Sequence, residues 1–257
     1  MKKGFSFQDV QNLARRQLRD YRAKNPGTCF SEPDFSMDVR TAYDLQDAVS
    51  KLRIEAGERI IGYKIGCIGP ETATQFGMDG PIRGTLFAGE ILEDRTFINP
   101  NQFSNLAIEG EMAVRINERY EIEAAFPVIE LHNFVFRSPK KTLSELIANN
   151  GINAGLVVPI AQWQRSQKYI AKKANLAVNI NGKNLASANL WPTKAGPEWS
   201  VNWLQSHLHE YGLELLPGSV ILVGTPLGLY PVEDGDEIIV VIDDQPLVSC
   251  FIEAPAS

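Results

Sequence analysis

Glu109, Gly110 and Glu111 stand inside the run Leu106-Ala-Ile-Glu-Gly-Glu-Met-Ala-Val-Arg-Ile116. The neighbours Ile108, Met112, Val114 and Ile116 read as a β-strand, and the side-chain period of two then puts both carboxylates on one face. Two carboxylates at ~4 Å repel by about 4 kcal/mol at an effective dielectric of about 20. Any fold that buries this strand must offset that cost with a shared proton, a cation or water. A divalent metal is the offset that makes the chain an enzyme; outward-facing glutamates on a solvated sheet are the plain alternative.

Bulk properties remove several other classes. The chain has 257 residues, room for one large domain or a large one with a small one. Its net charge of −6, with no basic block, argues against a nucleic-acid partner. Cys29, Cys67 and Cys250 are far apart and form no C-x-x-C pair, so neither a disulfide framework nor a thiolate zinc site is expected. No run approaches the ~20 apolar residues of a membrane helix, and Met1-Lys-Lys-Gly-Phe lacks the apolar core of a secretory signal. These features predict a cytoplasmic protein with no membrane association.

The hydrophobic pattern changes period along the chain. Ser6 can cap a helix carrying Phe7, Val10, Leu13, Ala14, Leu18 and Tyr21 at helical spacing, closed by Asn25-Pro26-Gly27. A second helix is predicted from about 41 to 56. From Arg59 onward short β-type runs alternate with Gly/Pro turns, among them 60–67, 107–116, 124–131, 176–180, 237–242 and 248–252, with an Asn181-Gly182 hairpin turn. Helices are expected near 142–149 and 197–211. The resulting expectation is an α+β chain: a helical N-terminal region over 1–58 and a mainly β catalytic domain over 59–257.

Lys64, in Ile60-Ile-Gly-Tyr-Lys-Ile-Gly66, is an uncommon residue for the middle of an apolar strand. Burial would depress its pKa and suit it to acid–base work. Glu130, in Phe126-Pro-Val-Ile-Glu-Leu-His132, is a further acid in an apolar run and could join the Glu109/Glu111 pair. Three carboxylates suit Mg²⁺ or Mn²⁺. Of the three histidines, His132 reads as a core or turn residue, and His207 and His209 as surface residues. Thr225, in Gly224-Thr-Pro-Leu-Gly228, sits in a tight turn whose hydroxyl and N–H could bind an anion. No G-x-S-x-G turn, Walker loop or G-x-G-x-x-G motif occurs.

Taken in order, Gly62-Tyr-Lys-Ile-Gly66, Phe76-Gly-Met-Asp-Gly-Pro-Ile-Arg-Gly-Thr-Leu-Phe87, Ile108-Glu-Gly-Glu-Met-Ala113, Val128-Ile-Glu130 and Pro217 to Gly228 resemble the fumarylacetoacetate hydrolase superfamily. The resemblance is to its branch of 2-keto-4-pentenoate hydratases and 4-oxalocrotonate decarboxylases. It implies a β-roll or mixed β-barrel core, Mg²⁺ or Mn²⁺ on Glu109, Glu111 and Glu130, Lys64 at the substrate's enol or keto oxygen, and Asp79 near the site. It also implies a homo-oligomer. Arg83, just after the Asp79 turn, could face the pocket mouth and bind a distal carboxylate.

The expected activity is that of a metal-dependent lyase, a hydratase or decarboxylase, acting on a 2-oxo or 2-hydroxydienoate acid. The alternative is an acylpyruvate-type C–C hydrolase. Its chemistry in this superfamily uses an early or lid histidine, and residues 1–131 hold none. A non-catalytic scaffold on the same fold would require the glutamates to be metal-free.

Overall fold

The computed structural model describes residues 4–78 and 80–255. Helix α1 spans Phe7–Arg22, and Ser6 caps it in a reciprocal pair with Asp9. Helix α2, Val39–Glu55, begins ahead of the expected residue 41 because Asp38 is its cap and accepts the N–H of Thr41. There follow β1 (Ile60–Gly66), α3 (Pro70–Phe76), β2 (Ile82–Phe87), β3 (Ile91–Glu93), β4 (Thr96–Ile98), β5 (Leu106–Ile116) and β6 (Ile122–Asn133). Then come α4 (Leu143–Ala148), β7 (Asn153–Val158), β8 (Asn175–Ile180), β9 (Lys183–Asn189), α5 (Pro197–Glu210), β10 (Val220–Leu222), β11 (Tyr230–Pro231), β12 (Glu237–Ile242) and β13 (Gln245–Ile252).

The strands form two sheets. One has the order β2-β1-β10-β5-β6-β7-β3, with β11 also on β5; the other has the order β4-β13-β12-β8-β9. The fold is therefore α+β and mainly β, as the period change at Arg59 predicts. Helix α3 and strands β3, β4, β7 and β11 are absent from the sequence pattern. β3 and β4 hold three residues each, too few to display a period, and both join their sheets through parallel pairings with distant strands.

The two faces of β5 have different fates. Ile108, Met112, Val114 and Ile116 enter the core between the sheets, with Val178 of β8 and Ile238 and Val240 of β12. Gly110 shares that face. A Cβ there would lie 2.2 Å from Val178 Cγ2, so the glycine between the two glutamates is what lets the second sheet close on β5. Gly110→Ala should cost about 1–3 kcal/mol, the usual penalty for overpacking. Denaturant unfolding checks this, and an unchanged midpoint would mean that Val178 turns aside freely. Glu109 and Glu111 project from the opposite face, beside Glu130 and His132 of β6.

The N-terminal helices do not stand apart from the β region. Val10 and Ala14 of α1 and Ala42, Tyr43, Leu45 and Ala48 of α2 share a core with Leu146 and Ile147 of α4 and Ile82 of β2. No described helix is long and apolar enough to cross a membrane.

Candidate metal centre

The register of β5 against β6 places Glu109 directly opposite Glu130, and Ala107 opposite His132. Opposed side chains on one sheet face are close enough to interact. Lys64 comes from β1, and its partner on β2 is Gly84. A Cβ on Gly84 would lie 2.9 Å from Lys64 Cγ and 2.6 Å from the Asn150 carbonyl oxygen, so this glycine leaves a channel for the lysine stem.

Glu130 is fully buried, and its two oxygens have different surroundings. Oε1 lies 2.8 Å from Lys64 Nζ and accepts the Asn153 Nδ2 amide at 2.7 Å. Oε2 has no hydrogen-bond partner and lies 3.3 Å from His132 Nε2. That same Nε2 is 3.2 Å from Glu109 Oε2. Donor atoms of Glu109, Glu130 and His132 all lie within 4.8 Å of one another. Glu109 is the most open of this trio, its side chain 21% exposed, which puts solvent access on its side.

Glu111 is buried beside this trio. Its Oε1 accepts the backbone N–H of Gly224. Thr225, expected to bind an anion, donates its hydroxyl to the Gly110 carbonyl at 2.6 Å and accepts the Leu227 N–H. The turn's polar groups are thus used to hold β5 and Glu111.

The charges are strongly interdependent. Burial, then Glu130 and Glu109, push the Glu111 carboxyl well above the usual carboxylate range. Burial acts the same way on Glu130, yet His132 and Lys64 outweigh it and hold that carboxyl well below its usual value. Lys64 departs from the sequence expectation. Burial does work against its ammonium, but Glu130, Glu109 and Glu111 together raise its pKa instead of depressing it. His132 is likewise raised: burial disfavours its charge, and Glu130 and Glu109 restore it.

Hard oxygen donors, an imidazole and one buried, unpartnered carboxylate oxygen suit a divalent cation. Glu109, Glu130 and His132 present donors at close range, with Glu111 behind them.

Arg83 must be reassigned. It is fully buried on the face of β2 opposite Lys64 and Gly84, because it pairs with Ile65. Its guanidinium donates to Gln46 and Asp47 of α2 at 2.7 Å each and lies over the ring of Tyr43. It ties α2 to the sheet and is not at a pocket mouth. Asp79 lies outside the described residues. His207 is not a free surface group either: its ring stacks with Trp203 and Tyr211 and meets Tyr43 edge-on. Burial and the nearby Arg83 and Arg40 lower its pKa to about 4.

The sequence reading omitted His132 and Asn153 from the site. For His132 the signal was present, since the period of two that pairs Glu109 with Glu111 also pairs Glu130 with His132. Asn153 lies on β7, a strand that was not foreseen.

No family model matches the chain. It is 25% identical to a TodF product hydratase of Pseudomonas putida over 211 residues, 77% of this chain and 78% of that protein. It is 23% identical to a 4-oxalocrotonate decarboxylase of a Pseudomonas species over 202 residues, 74% and 78% of the two chains. It is 25% identical to a 2-hydroxyhexa-2,4-dienoate hydratase of Comamonas testosteroni over 221 residues, 80% and 83%. In three dimensions it superposes on 4-oxalocrotonate decarboxylase from Pseudomonas putida G7, complexed with magnesium and adipate. That match has a TM-score of 0.87, 20% identity, and covers 98% of this chain and 100% of the other. A fumarylpyruvate hydrolase from Pseudomonas aeruginosa, in complex with Mn²⁺ and pyruvate, aligns with a TM-score of 0.54 at 18% identity over 76% and 90%. In sequence the chain is thus similar to 2-keto-4-pentenoate hydratases and 4-oxalocrotonate decarboxylases, and its fold is that of the superposed 4-oxalocrotonate decarboxylase.

Proposed function

We propose that this chain is a divalent-metal-dependent lyase, a hydratase or decarboxylase, that acts on a 2-oxo or 2-hydroxydienoate carboxylic acid. The observation that carries the proposal is the buried array of Lys64, Glu130, Glu109 and His132, with an unpartnered Glu130 oxygen at its centre. Glu109, Glu111 and Glu130 are the carboxylates that would hold Mg²⁺ or Mn²⁺. A cation bound there supplies a Lewis acid that favours negative charge on the substrate's 2-oxygen.

The protein's own residues do the rest. The Lys64 ammonium has three N–H donors. One faces Glu130 and one reaches the Gly151 carbonyl at 3.2 Å. The third can donate to the enolate oxygen or deliver its proton there. Asn153 and Lys64 keep Glu130 Oε1 occupied, which would leave Oε2 as the oxygen that holds a cation. Hydration and decarboxylation share the same enolate, so one residue set serves both. Asp79 is proposed as a further acid at this site on the family resemblance. Thr225 is proposed to contribute through the turn that positions Glu111. Every proposed metal and catalytic residue lies in 59–257, and the helices of 1–58 buttress β2 through Arg83.

The direct test is to incubate the protein with Mg²⁺ or Mn²⁺ and a panel of 2-hydroxydienoates and 2-oxo acids, one of them an acylpyruvate. Decay of dienol absorbance with a hydrated 2-oxo acid or CO₂ as product is expected. Rapid cleavage of the acylpyruvate to pyruvate, with no hydration or CO₂ release, would assign the chain to C–C hydrolysis instead.

Assembly and location belong to the same proposal. Symmetric self-association is common among soluble enzymes. Light scattering at micromolar concentration is therefore expected to give at least twice the 28.5 kDa chain mass, and a clean monomer would refute it. A cytoplasmic location is supported by Cys29, Cys67 and Cys250, all free thiols.

A further inference from the structure

His132 shares its strand face with Glu130 and is buried between the carboxylates of the site. Its side chain is 2% exposed. Its Nε2 points between two carboxylate oxygens, at 3.2 Å from Glu109 Oε2 and 3.3 Å from Glu130 Oε2. Two ligand atoms bound at about 2.1 Å and at right angles on one ion lie about 3 Å apart. The observed separations are close to those of neighbouring ligands on one coordination sphere, and small shifts of each group would bring all three donors onto one cation. A simple hydrogen-bonded pin explains less. One N–H can satisfy Glu109 but leaves Glu130 Oε2 buried without a partner. Nδ1 on the far side of the ring is also buried and unpartnered, so the hydrogen-bonded contact the ring makes is on its Nε2 side, toward the carboxylates.

We infer that His132 Nε2 is a direct ligand of the bound cation, and that this nitrogen biases the site from Mg²⁺ toward a first-row transition metal such as Mn²⁺. The inference rests on the proposed metal site and adds its fourth protein donor. The chemical reason is the ligand set. An all-carboxylate site suits hard Mg²⁺, which demands oxygen and gives up water reluctantly. Imidazole is a borderline donor that first-row divalent metals accept well. One nitrogen among carboxylates thus favours the later first-row metals most, and Mn²⁺, at the weak end of that series, still gains more from it than Mg²⁺.

The test uses the full chain, labelled with ¹⁵N-histidine and loaded with Mn²⁺, and reads nuclear couplings by pulsed electron paramagnetic resonance. A directly bound imidazole is expected to give a ¹⁵N coupling in the wild type. The coupling should vanish in His132→Gln while Mn²⁺ stays bound, which assigns it to His132 rather than to His207 or His209 on α5. Calorimetry with each metal alone should show the Mn²⁺-over-Mg²⁺ affinity ratio falling by about tenfold or more in His132→Gln. Bound Mn²⁺ that Glu109→Gln releases, but that shows no imidazole coupling in the wild type, would overturn this inference and leave the metal site standing. A wild type that binds no divalent cation would overturn both. Should His132→Gln fail to fold, a coupling that persists in His207→Gln and in His209→Gln assigns it to His132, and one lost in either overturns the inference.

Discussion

Lys64→Met is expected to lower turnover by about 10²-fold or more at saturating metal, the size of effect that a positioned acid or base contributes. A second loss should accompany it. Lys64 is 4% exposed and pairs with a Glu130 that is fully buried. Removing one partner of a buried ion pair strands the other and costs about 3–5 kcal/mol. The metal-free variant should therefore unfold at markedly lower denaturant, and Mg²⁺ or Mn²⁺ should return part of that stability by supplying positive charge beside Glu130. The raised pKa of Lys64 fixes the pH window. A base whose folded pKa exceeds its unfolded value contributes its stability below the unfolded pKa and loses it as pH rises through the folded one. The pairing is thus complete at neutral pH and fails only above the ordinary lysine range. In the metal-free protein the same sign keeps Lys64 an ammonium, held by the three carboxylates. Turnover near the wild-type value would remove Lys64 from the mechanism.

That reversal shows where sequence reasoning reaches its end. The alternation in β5 was legible because eleven residues display it, and it placed Glu109 and Glu111 on one face correctly. The helices were legible from their caps and apolar spacing. What a single sequence cannot supply is the partner across the sheet. Burial of Lys64 was readable; the three carboxylates that reverse its pKa come from β5 and β6, far along the chain. Arg83 illustrates the same gap. Its sequence neighbours, a Gly-Pro turn and a strand, suggested an opening, whereas its actual neighbours are Gln46 and Asp47 on a helix nearly forty residues earlier. Thr225 shows that a Gly-Thr-Pro turn can serve strand placement, with its hydroxyl committed to the Gly110 carbonyl. His132 is legible in principle, through period two, although an isolated histidine in an apolar run is ordinarily a core residue.

Glu109→Gln should separate stability from function with opposite signs. The site concentrates Glu109, Glu111 and Glu130 around one lysine and one histidine, and burial plus mutual repulsion already force the Glu111 carboxyl far above its usual range. Removing one negative charge relieves that repulsion, so the metal-free variant is expected to be at least as stable as the metal-free wild type. Glutamine keeps the size and can still meet His132, so packing is preserved. Metal binding should behave in the opposite way. Loss of an anionic oxygen donor is expected to weaken Mg²⁺ or Mn²⁺ by about 10²-fold, as outer- and inner-shell changes at metal sites commonly do. A metal that binds only the folded chain stabilises it by about 2.7 kcal/mol at a hundred times its dissociation constant. At that concentration the wild type should gain this increment, and the half-loaded variant only about 0.4 kcal/mol. Activity should follow the metal. Chelation is expected to abolish wild-type turnover, Mg²⁺ or Mn²⁺ should restore it, and Glu109→Gln should need about a hundredfold more metal to reach its own maximal turnover. Unfolding curves with and without metal, run beside the dienoate assay, check both halves. Full wild-type activity in excess chelator would remove the metal from the reaction. A Glu109→Gln variant destabilised without metal would instead show that the carboxylate cluster is held together by attraction to Lys64 and His132 more strongly than it is strained by its own charge.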